Sequence, residues 1–380
     1  RPVLVYLCQE KELEQMMNQG YRVYSGYLAG KVYDKIVRPM LPYLQESDTI
    51  YFASAGILNR LNLDVLFSTQ EETAGKYVLR QLLSTREILQ REEKHARSLA
   101  LAVLYGGLVY EDGTVQAGTE LLASRSSETE KPSFSQIAKE SPASAQSATS
   151  SHFQGYDSLS RQGWRYLPES KEEVEFIAGE LASAGIPVKL YTGMEGTEAS
   201  FKTLSGSPVS LLHMATHGFF VPNGEARDET YFEQFRLGLF PDRSIDPLQR
   251  SGLILSGGQR AWLLGDADEE DDGILTAKEI ADMHFDSLSI VVLSACETAL
   301  GDIAQEGVWG LQWAFKLAGA DCMLMSLWEV NDQATSLLMR EFYKQLLLGK
   351  PKREAFRMAQ EKVKAWNPSP YYWAAFLMIE

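Results

Sequence analysis

Hydrophobic and polar positions along the 380 residues sort the chain into three blocks. The clearest pattern lies between Trp164 and Glu380, where short apolar runs alternate with longer stretches of helical spacing. Val209–Ala215, Ser289–Ala295 and Cys322–Trp328 are apolar at nearly every position. A run without polar alternation predicts a strand covered on both faces, as in a parallel sheet. Around them, Lys171–Ala184 predicts a helix, Val188–Tyr191 a short strand, and a further helix ends near Gly319. Two more helices fill Asp332–Trp366, and a last apolar run occupies Trp373–Ile379. This alternation predicts a doubly wound α/β layer structure.

The first block, residues 1–112, predicts a strand over Val3–Leu7 and then a long amphipathic segment that the Pro39 and Pro42 pair should stop. A second strand at Ile50–Ala53 leads through a turn at Ser54–Gly56 into Ile57–Phe67, whose alternation predicts one arm of a hairpin. Residues 113–163 form the second block, dense in Ser, Ala, Thr, Gln and Glu, with Ser141–Ser151 its most biased stretch. Such a segment buries too little apolar area to offset its ordering entropy. It is expected to be a flexible insertion, with self-processing inside it as a further expectation. Residues 164–380 form the third block.

Composition agrees with a globular reading: 45% hydrophobic and 23% charged residues, and nothing near eighteen uninterrupted apolar positions. No membrane association is expected. With 36 basic against 51 acidic residues the formal charge is −15, a field that repels phosphate backbones, so nucleic acid is not expected as a partner. Three scattered cysteines, Cys8, Cys296 and Cys322, suit neither a disulfide framework nor a four-cysteine zinc site. A reducing, cytoplasmic location is expected. The chain opens at Arg1 without a basic and then apolar leader, and reads as a fragment lacking a secretory signal.

Two of the apolar runs end in reactive side chains, Ala215-Thr-His-Gly218 and Ser294-Ala-Cys-Glu-Thr298. Ligand sites of open parallel sheets lie beyond the carboxyl ends of the strands, so the thiol of Cys296 and the imidazole of His217 can meet there. A thiolate is a nucleophile, and a neighbouring imidazole moves the protons that attack and departure require. Gly218, lacking a Cβ, lets a carbonyl approach the backbone, and the N–H groups of Gly218 and Cys296 are candidate oxyanion donors. His213, four residues before His217 on what reads as one strand, is expected to be a core or supporting residue, and the Met-Ala-Thr between them does not fit a zinc-binding helix. Trp309, Trp313 and Phe315 follow helical spacing and are expected in the core, as are the thiols of Cys8 and Cys322. The acidic run from Asp266 to Asp272, with Glu279 twelfth from Asp268, approaches a calcium loop but has Glu270 in its third position. A solvated loop is expected, with a captured calcium ion as the alternative and otherwise no metal or cofactor.

Leu212-His-Met-Ala-Thr-His-Gly218 together with Val292-Leu-Ser-Ala-Cys-Glu-Thr298 resembles the CHAT domain, the caspase-like module also related to separase. Tyr51–Leu61, Leu167-Pro168 with Glu172–Val174, Asp272–Ile280, Glu306-Gly307 and Ser326–Asp332 extend the likeness over all but the insertion. The resemblance implies a caspase-like α/β/α sandwich with a mainly parallel sheet, a pseudo-protease amino-terminal half and an active carboxyl-terminal half. It implies a cysteine endopeptidase acting on a protein substrate, often downstream of tetratricopeptide repeats or another sensor. Cys296 would be the nucleophile and His217 its partner, with no third orienting acid required. Asp332, with Trp328 and Ser326, matches the segment that in the separase branch lines the pocket for a basic P1 side chain. Asp332 also begins the Asp332–Leu348 helical pattern, where it is expected as the N-cap. The alternative function is a catalytically silent or gated caspase-like scaffold.

Overall fold

The computed structural model describes residues 3–17, 23–24, 26–44, 49–90, 99–111, 164–220, 247–264, 271–294, 302–304, 307–328 and 331–380. Its strands, in chain order, are β1 (Thr49–Ala53), β2 (Val78–Leu82), β3 (Ala102–Leu108), β4 (Val188–Gly193), β5 (Leu211–Ala215), β6 (His217–Phe220) and β7 (Ser251–Ile254). They continue with β8 (Ile274–Thr276), β9 (Ile290–Leu293), β10 (Asp302–Ala304), β11 (Gly307–Trp309), β12 (Met323–Ser326) and β13 (Phe376–Ile379).

The fully apolar runs become the middle of one eight-stranded sheet, ordered β1-β2-β13-β12-β9-β5-β3-β4. Every residue of β3, β5, β9, β12 and β13 is buried, as strands covered on both faces must be. Neighbouring pairs run parallel except β12 and β13, which are antiparallel. The sheet is therefore mainly parallel, as expected, and strands from before residue 112 and after residue 164 belong to it together.

Side-chain alternation puts helices on both faces. Leu104 pairs with His213 and Gly106 with Ala215, so these positions share a face. On that face an added Cβ at Gly106 would stand 2.6 Å from the Ser170 carbonyl oxygen, in the Pro168–Ser183 helix. Glycine is required there because helix backbone and strand backbone touch. Tyr105, on the other face, reaches the Ser200 hydroxyl at 3.2 Å and packs on Phe201, both in the Glu198–Lys202 helix. A second, antiparallel sheet, β6-β7-β8, adjoins the end of β5, and β10 and β11 form a two-stranded ribbon.

Several local expectations are corrected. Ile57–Phe67 is no hairpin arm: Gly56–Arg60 is a 3-10 turn and Leu63–Thr69 an α-helix. Asn62 decides this, because its side chain caps the helix by accepting from Val65 N–H at 3.4 Å. Its amide also donates to the carbonyls of Ala374 and Phe376 at 3.1 and 3.0 Å, tying the first block to the last strand. Val3–Leu7 is not a strand, and Leu4 is 99% exposed, so the apolar run has no sheet to join. The amphipathic segment divides into helices Glu10–Met17 and Gly26–Ile36, followed by a 3-10 stretch Arg38–Tyr43 that contains both prolines. Trp309 ends β11, and the helix carrying Trp313 and Phe315 starts only at Leu311. Cys322 is buried, whereas Cys8 is only half-buried. The insertion expected over 113–163 lies outside the described residues.

Candidate active site

β5 ends at Ala215, and the chain turns at Thr216 out of the main sheet into the smaller one. The buried Thr216 hydroxyl donates to the Ile254 carbonyl at 2.5 Å and meets the Tyr110 hydroxyl at 3.0 Å, which fixes the turn. His217 then opens β6 opposite Ile254, and Gly218 follows opposite Leu253. His213 and His217 accordingly belong to different strands and different sheets, correcting the single strand expected from their spacing.

The imidazole of His217 is held from two directions. Its Nε2 lies 2.7 Å from the Arg165 carbonyl oxygen. A carbonyl can only accept, so Nε2 carries the proton and Nδ1 of the neutral ring is left as the basic nitrogen. Aromatic rings wall the imidazole: Tyr110 and Trp164 each lie 5.0 Å from it centroid to centroid, Trp262 stands edge-on to Trp164 at 4.9 Å, and Phe219 lies 5.3 Å from Trp262. Burial among these rings pushes the His217 pKa below its usual value, and the hydrogen bond to Arg165 opposes that only in part. The ring is therefore neutral near pH 7 and able to take a proton.

β9 runs beside β5, with Leu293 in register with Met214, and Ser294 N–H donates to the Met214 carbonyl at 2.9 Å. The chain that leads to Cys296 thus departs next to the one that leads to His217. Cys296 itself, as nucleophile and as backbone oxyanion donor, lies outside the described residues. Ser326 ends β12, the strand on the far side of β9, and is buried. Trp328 is buried too, donating from Nε1 to the Tyr371 carbonyl at 3.1 Å and stacking on Tyr24 at 5.8 Å. Asp332 is the first residue of the Asp332–Leu347 helix but not its N-cap. Asn331 holds that place, its Oδ1 accepting from Gln333 and Ala334 N–H at 3.1 and 3.3 Å. The capping role expected for Asp332 is thus filled by its neighbour.

His213 sits fully buried in β5. Its Nε2 lies 2.8 Å from a Glu173 oxygen and its Nδ1 2.9 Å from the Tyr343 hydroxyl. Burial raises the Tyr343 pKa, so the phenol remains a donor. The triad joins the Pro168–Ser183 helix, β5 and the Asp332–Leu347 helix in one buried polar network, away from the imidazole of His217.

The acidic run is described only from Asp271 onward, and there its carboxylates are already engaged. Asp272 accepts from Ile274 N–H at 2.7 Å, and Glu279 forms a capping box with Thr276 at the Ala277–Ala281 helix. Lys202 reaches Glu198, Glu279 and Asp271 at 2.7, 3.1 and 3.6 Å. Among the described residues no group of His, Cys, Asp and Glu is arranged to hold a metal ion. Asp266, Asp268, Glu269 and Glu270 lie outside them.

Glu198, 1% exposed, has its pKa pushed up to about 8, first by burial and then by the neighbouring Glu279. Folded chain therefore keeps a proton there that unfolded chain has released above about pH 4.5. Stability from this group is complete below that pH, falls as pH rises toward about 8 and is lost above it. Glu198→Gln removes the titration but leaves one acceptor oxygen where the carboxyl group offers two to Gly273 N–H and Lys202, so its melting temperature relative to wild type is expected to rise from pH 5 to pH 8. Scanning calorimetry at both pH values checks this; a constant difference would refute it.

Three contributors to the site were not anticipated: the Arg165 carbonyl and the rings of Trp164 and Tyr110. A backbone acceptor has no residue signature. The aromatic residues did have one, since Tyr110 and Trp164 flank the low-complexity stretch on either side.

Among the described residues no helix is long and apolar enough to cross a membrane. Tetratricopeptide repeat protein 28 of Mus musculus is 34% identical over 110 residues, which span 28% of this chain and 4% of that protein. The Homo sapiens protein of the same name is 34% identical over 109 residues, with the same coverage. The chain thus spans only 4% of the length of these curated relatives. Among solved structures, the Arg specific cysteine proteinase gingipain R superposes with a TM-score of 0.41 at 7% identity, covering 80% of this chain and 54% of that one. A profile of the CHAT domain matches from residue 27, at the start of the Gly26–Ile36 helix, through β5 and β9 to residue 380. The sheet, the turn at Thr216 and the His217 pocket all lie within that span, and the chain belongs to the CHAT domain family.

Proposed function

We propose that the chain is a cysteine endopeptidase in which Cys296 is the nucleophile and His217 its proton carrier. The observation that carries this reading is the Nε2 hydrogen bond to the Arg165 carbonyl, which leaves Nδ1 of a neutral imidazole as a base beside the strand that leads to Cys296. The Cys296 thiol gives its proton to Nδ1 and the sulfur attacks the scissile carbonyl. Backbone N–H groups, with Gly218 and Cys296 as candidates, stabilise the oxyanion. The imidazolium returns the proton to the leaving amine, and water then hydrolyses the thioester with Nδ1 again taking the proton. No cofactor enters these steps. The substrate is a protein, and Asp332, Trp328 and Ser326 form the P1 pocket, with the Asp332 carboxylate favouring a basic P1. Upstream tetratricopeptide repeats or another sensor regulate cleavage, a reading supported by the name of the relatives. A reducing cytoplasm is the compartment in which a catalytic thiol persists.

Labelling with peptide acyloxymethyl ketones that differ at P1, read by intact mass on wild type, Cys296→Ala and His217→Ala, tests this. One adduct, confined to wild type at Cys296 and strongest with Arg or Lys at P1, is expected. The other thiols are poor competitors: burial pushes Cys322 up to about 11 and raises Cys8 as well. Adducts that persist in Cys296→Ala, or none with any P1, would favour the silent scaffold.

A further inference from the structure

We infer that Gln259 is a positioning residue for the His217 imidazole, acting by clasping the two chain segments that flank residues 112–163. This rests on the endopeptidase reading for its consequence in turnover, but not for its geometry. Gln259 Oε1 accepts from Trp164 N–H at 2.8 Å, its Nε2 donates to a Glu111 carboxylate oxygen at 3.0 Å, and its own N–H donates to the Tyr110 carbonyl at 3.0 Å. One half-buried side chain thus bridges Glu111 and Trp164, on either side of residues 112–163. Both flanks touch the imidazole: Tyr110 and Trp164 through their rings, and Arg165 through the carbonyl that accepts from Nε2.

The local chain is shaped to bring Gln259 there. Gly257 adopts φ 85°, a left-handed conformation that favours glycine, and its N–H donates to the Val109 carbonyl at 3.1 Å. At Gly258 an added Cβ would stand 2.5 Å from the Gly273 carbonyl oxygen. Gly257 therefore starts the Gly258–Leu264 helix beside Val109 and Tyr110 while Gly258 lets it pass against Gly273, and one turn later the same helix presents Trp262 to Trp164. Each Gln259 contact alone is a loop hydrogen bond. Combined, they decide where the Arg165 carbonyl stands, and a carbonyl displaced by about 1 Å no longer selects the Nε2–H tautomer or the ring orientation that aims Nδ1.

The test uses the full chain, labelled with 15N at its five histidines, with the His217 signals assigned by their loss in His217→Gln. In wild type the signals should report one neutral tautomer, protonated at Nε2. In Gln259→Ala they should average between tautomers. Gln259→Glu keeps an acceptor for Trp164 N–H but sets a second carboxylate against Glu111. Pairing it with Glu111→Gln rebuilds the bridge with donor and acceptor exchanged, and the single-tautomer signals should return. Peptide turnover should follow: Gln259→Ala lowers kcat by about 10-fold or more with KM within about threefold, and the double substitution recovers most of the loss. Unchanged His217 signals in Gln259→Ala would overturn the inference, as would averaged signals that the double substitution fails to restore, since a merely structural role would not be rescued by exchange. A wild-type chain that neither cleaves nor labels would instead remove the endopeptidase reading, while the imidazole measurement would still decide the role of Gln259.

Discussion

Cys296→Ala is expected to lower peptide turnover by at least about 10⁴-fold, and His217→Ala by about 10²–10⁴-fold, with neither unfolding the protein. The thiol is the bond-forming atom, so nothing replaces it; the imidazole moves protons that water can move slowly. Truncating His217 removes one hydrogen bond to the Arg165 carbonyl, a stability cost of about 1 kcal/mol. Burial holds the His217 pKa below the ordinary value of about 6.5, so the base stays unprotonated as the solution is mildly acidified. The acid limb of kcat/KM should accordingly fall below about pH 6.5. The same depression affects stability with a definite sign. Unfolded chain takes up a proton at His217 before folded chain does, so stability is full above about 6.5 and declines as pH falls from there toward the folded-state pKa. His217→Ala should lose that decline. Turnover in His217→Ala equal to wild type, or a wild-type acid limb above pH 7, would defeat the assignment.

Glu173→Ala should destabilise the fold by about 2–3 kcal/mol, the largest stability effect expected from a single side chain outside the apolar core. It leaves the His213 Nε2–H without an acceptor at a position with 0% exposure, and desolvation without compensation is the expensive outcome. Tyr343→Phe removes the other partner of His213 and should cost about 1–2 kcal/mol. Because both act on one imidazole, the double variant should lose less than the sum. Urea unfolding of the four chains gives these numbers. Additive losses, or a loss for Glu173→Ala below about 0.5 kcal/mol, would mean that the network is not cooperative. Activity per folded molecule should be unchanged, in contrast with the His217 and Cys296 variants.

Strands β5, β9 and β12 were legible because burial on both faces leaves no polar position to disguise them. The same rule placed the catalytic candidates at strand ends, and β5 and β9 are indeed neighbours. It misled where an apolar run has no sheet to enter, as at Leu4, and where a cap overrides alternation, as Asn62 does for Leu63–Thr69. The four-residue spacing of His213 and His217 suggested a shared face, but Thr216 bonds sideways to Ile254 and Tyr110 and sends the two rings into different surroundings. The Arg165 carbonyl was invisible for a deeper reason. It is a backbone atom 52 residues from His217 in sequence, and its location depends on tertiary contacts.

β13 enters the sheet unevenly. Against β12 it is registered over four residue pairs, but against β2 only Ile379 and Gln81 are in register. Beside that pair Glu380 N–H donates to the Gln81 carbonyl at 2.8 Å, and further fastenings between the first block and the chain's last residues are Asn62 to the Ala374 and Phe376 carbonyls, Arg80 to Glu380 at 3.1 Å and Arg353 to Asp64 at 3.2 Å. Partly exposed ion pairs contribute little each, so within the sheet the β1–β2 panel is joined to the remainder through a narrow hydrogen-bonded margin. In amide exchange the molecule should therefore keep two clocks: a slow one for β5, β9 and β12, which open only with global unfolding, and a faster one for β1 and β2, which detach together. A protein built this way can shed one edge of its sheet and restore it while the His217 pocket stays closed.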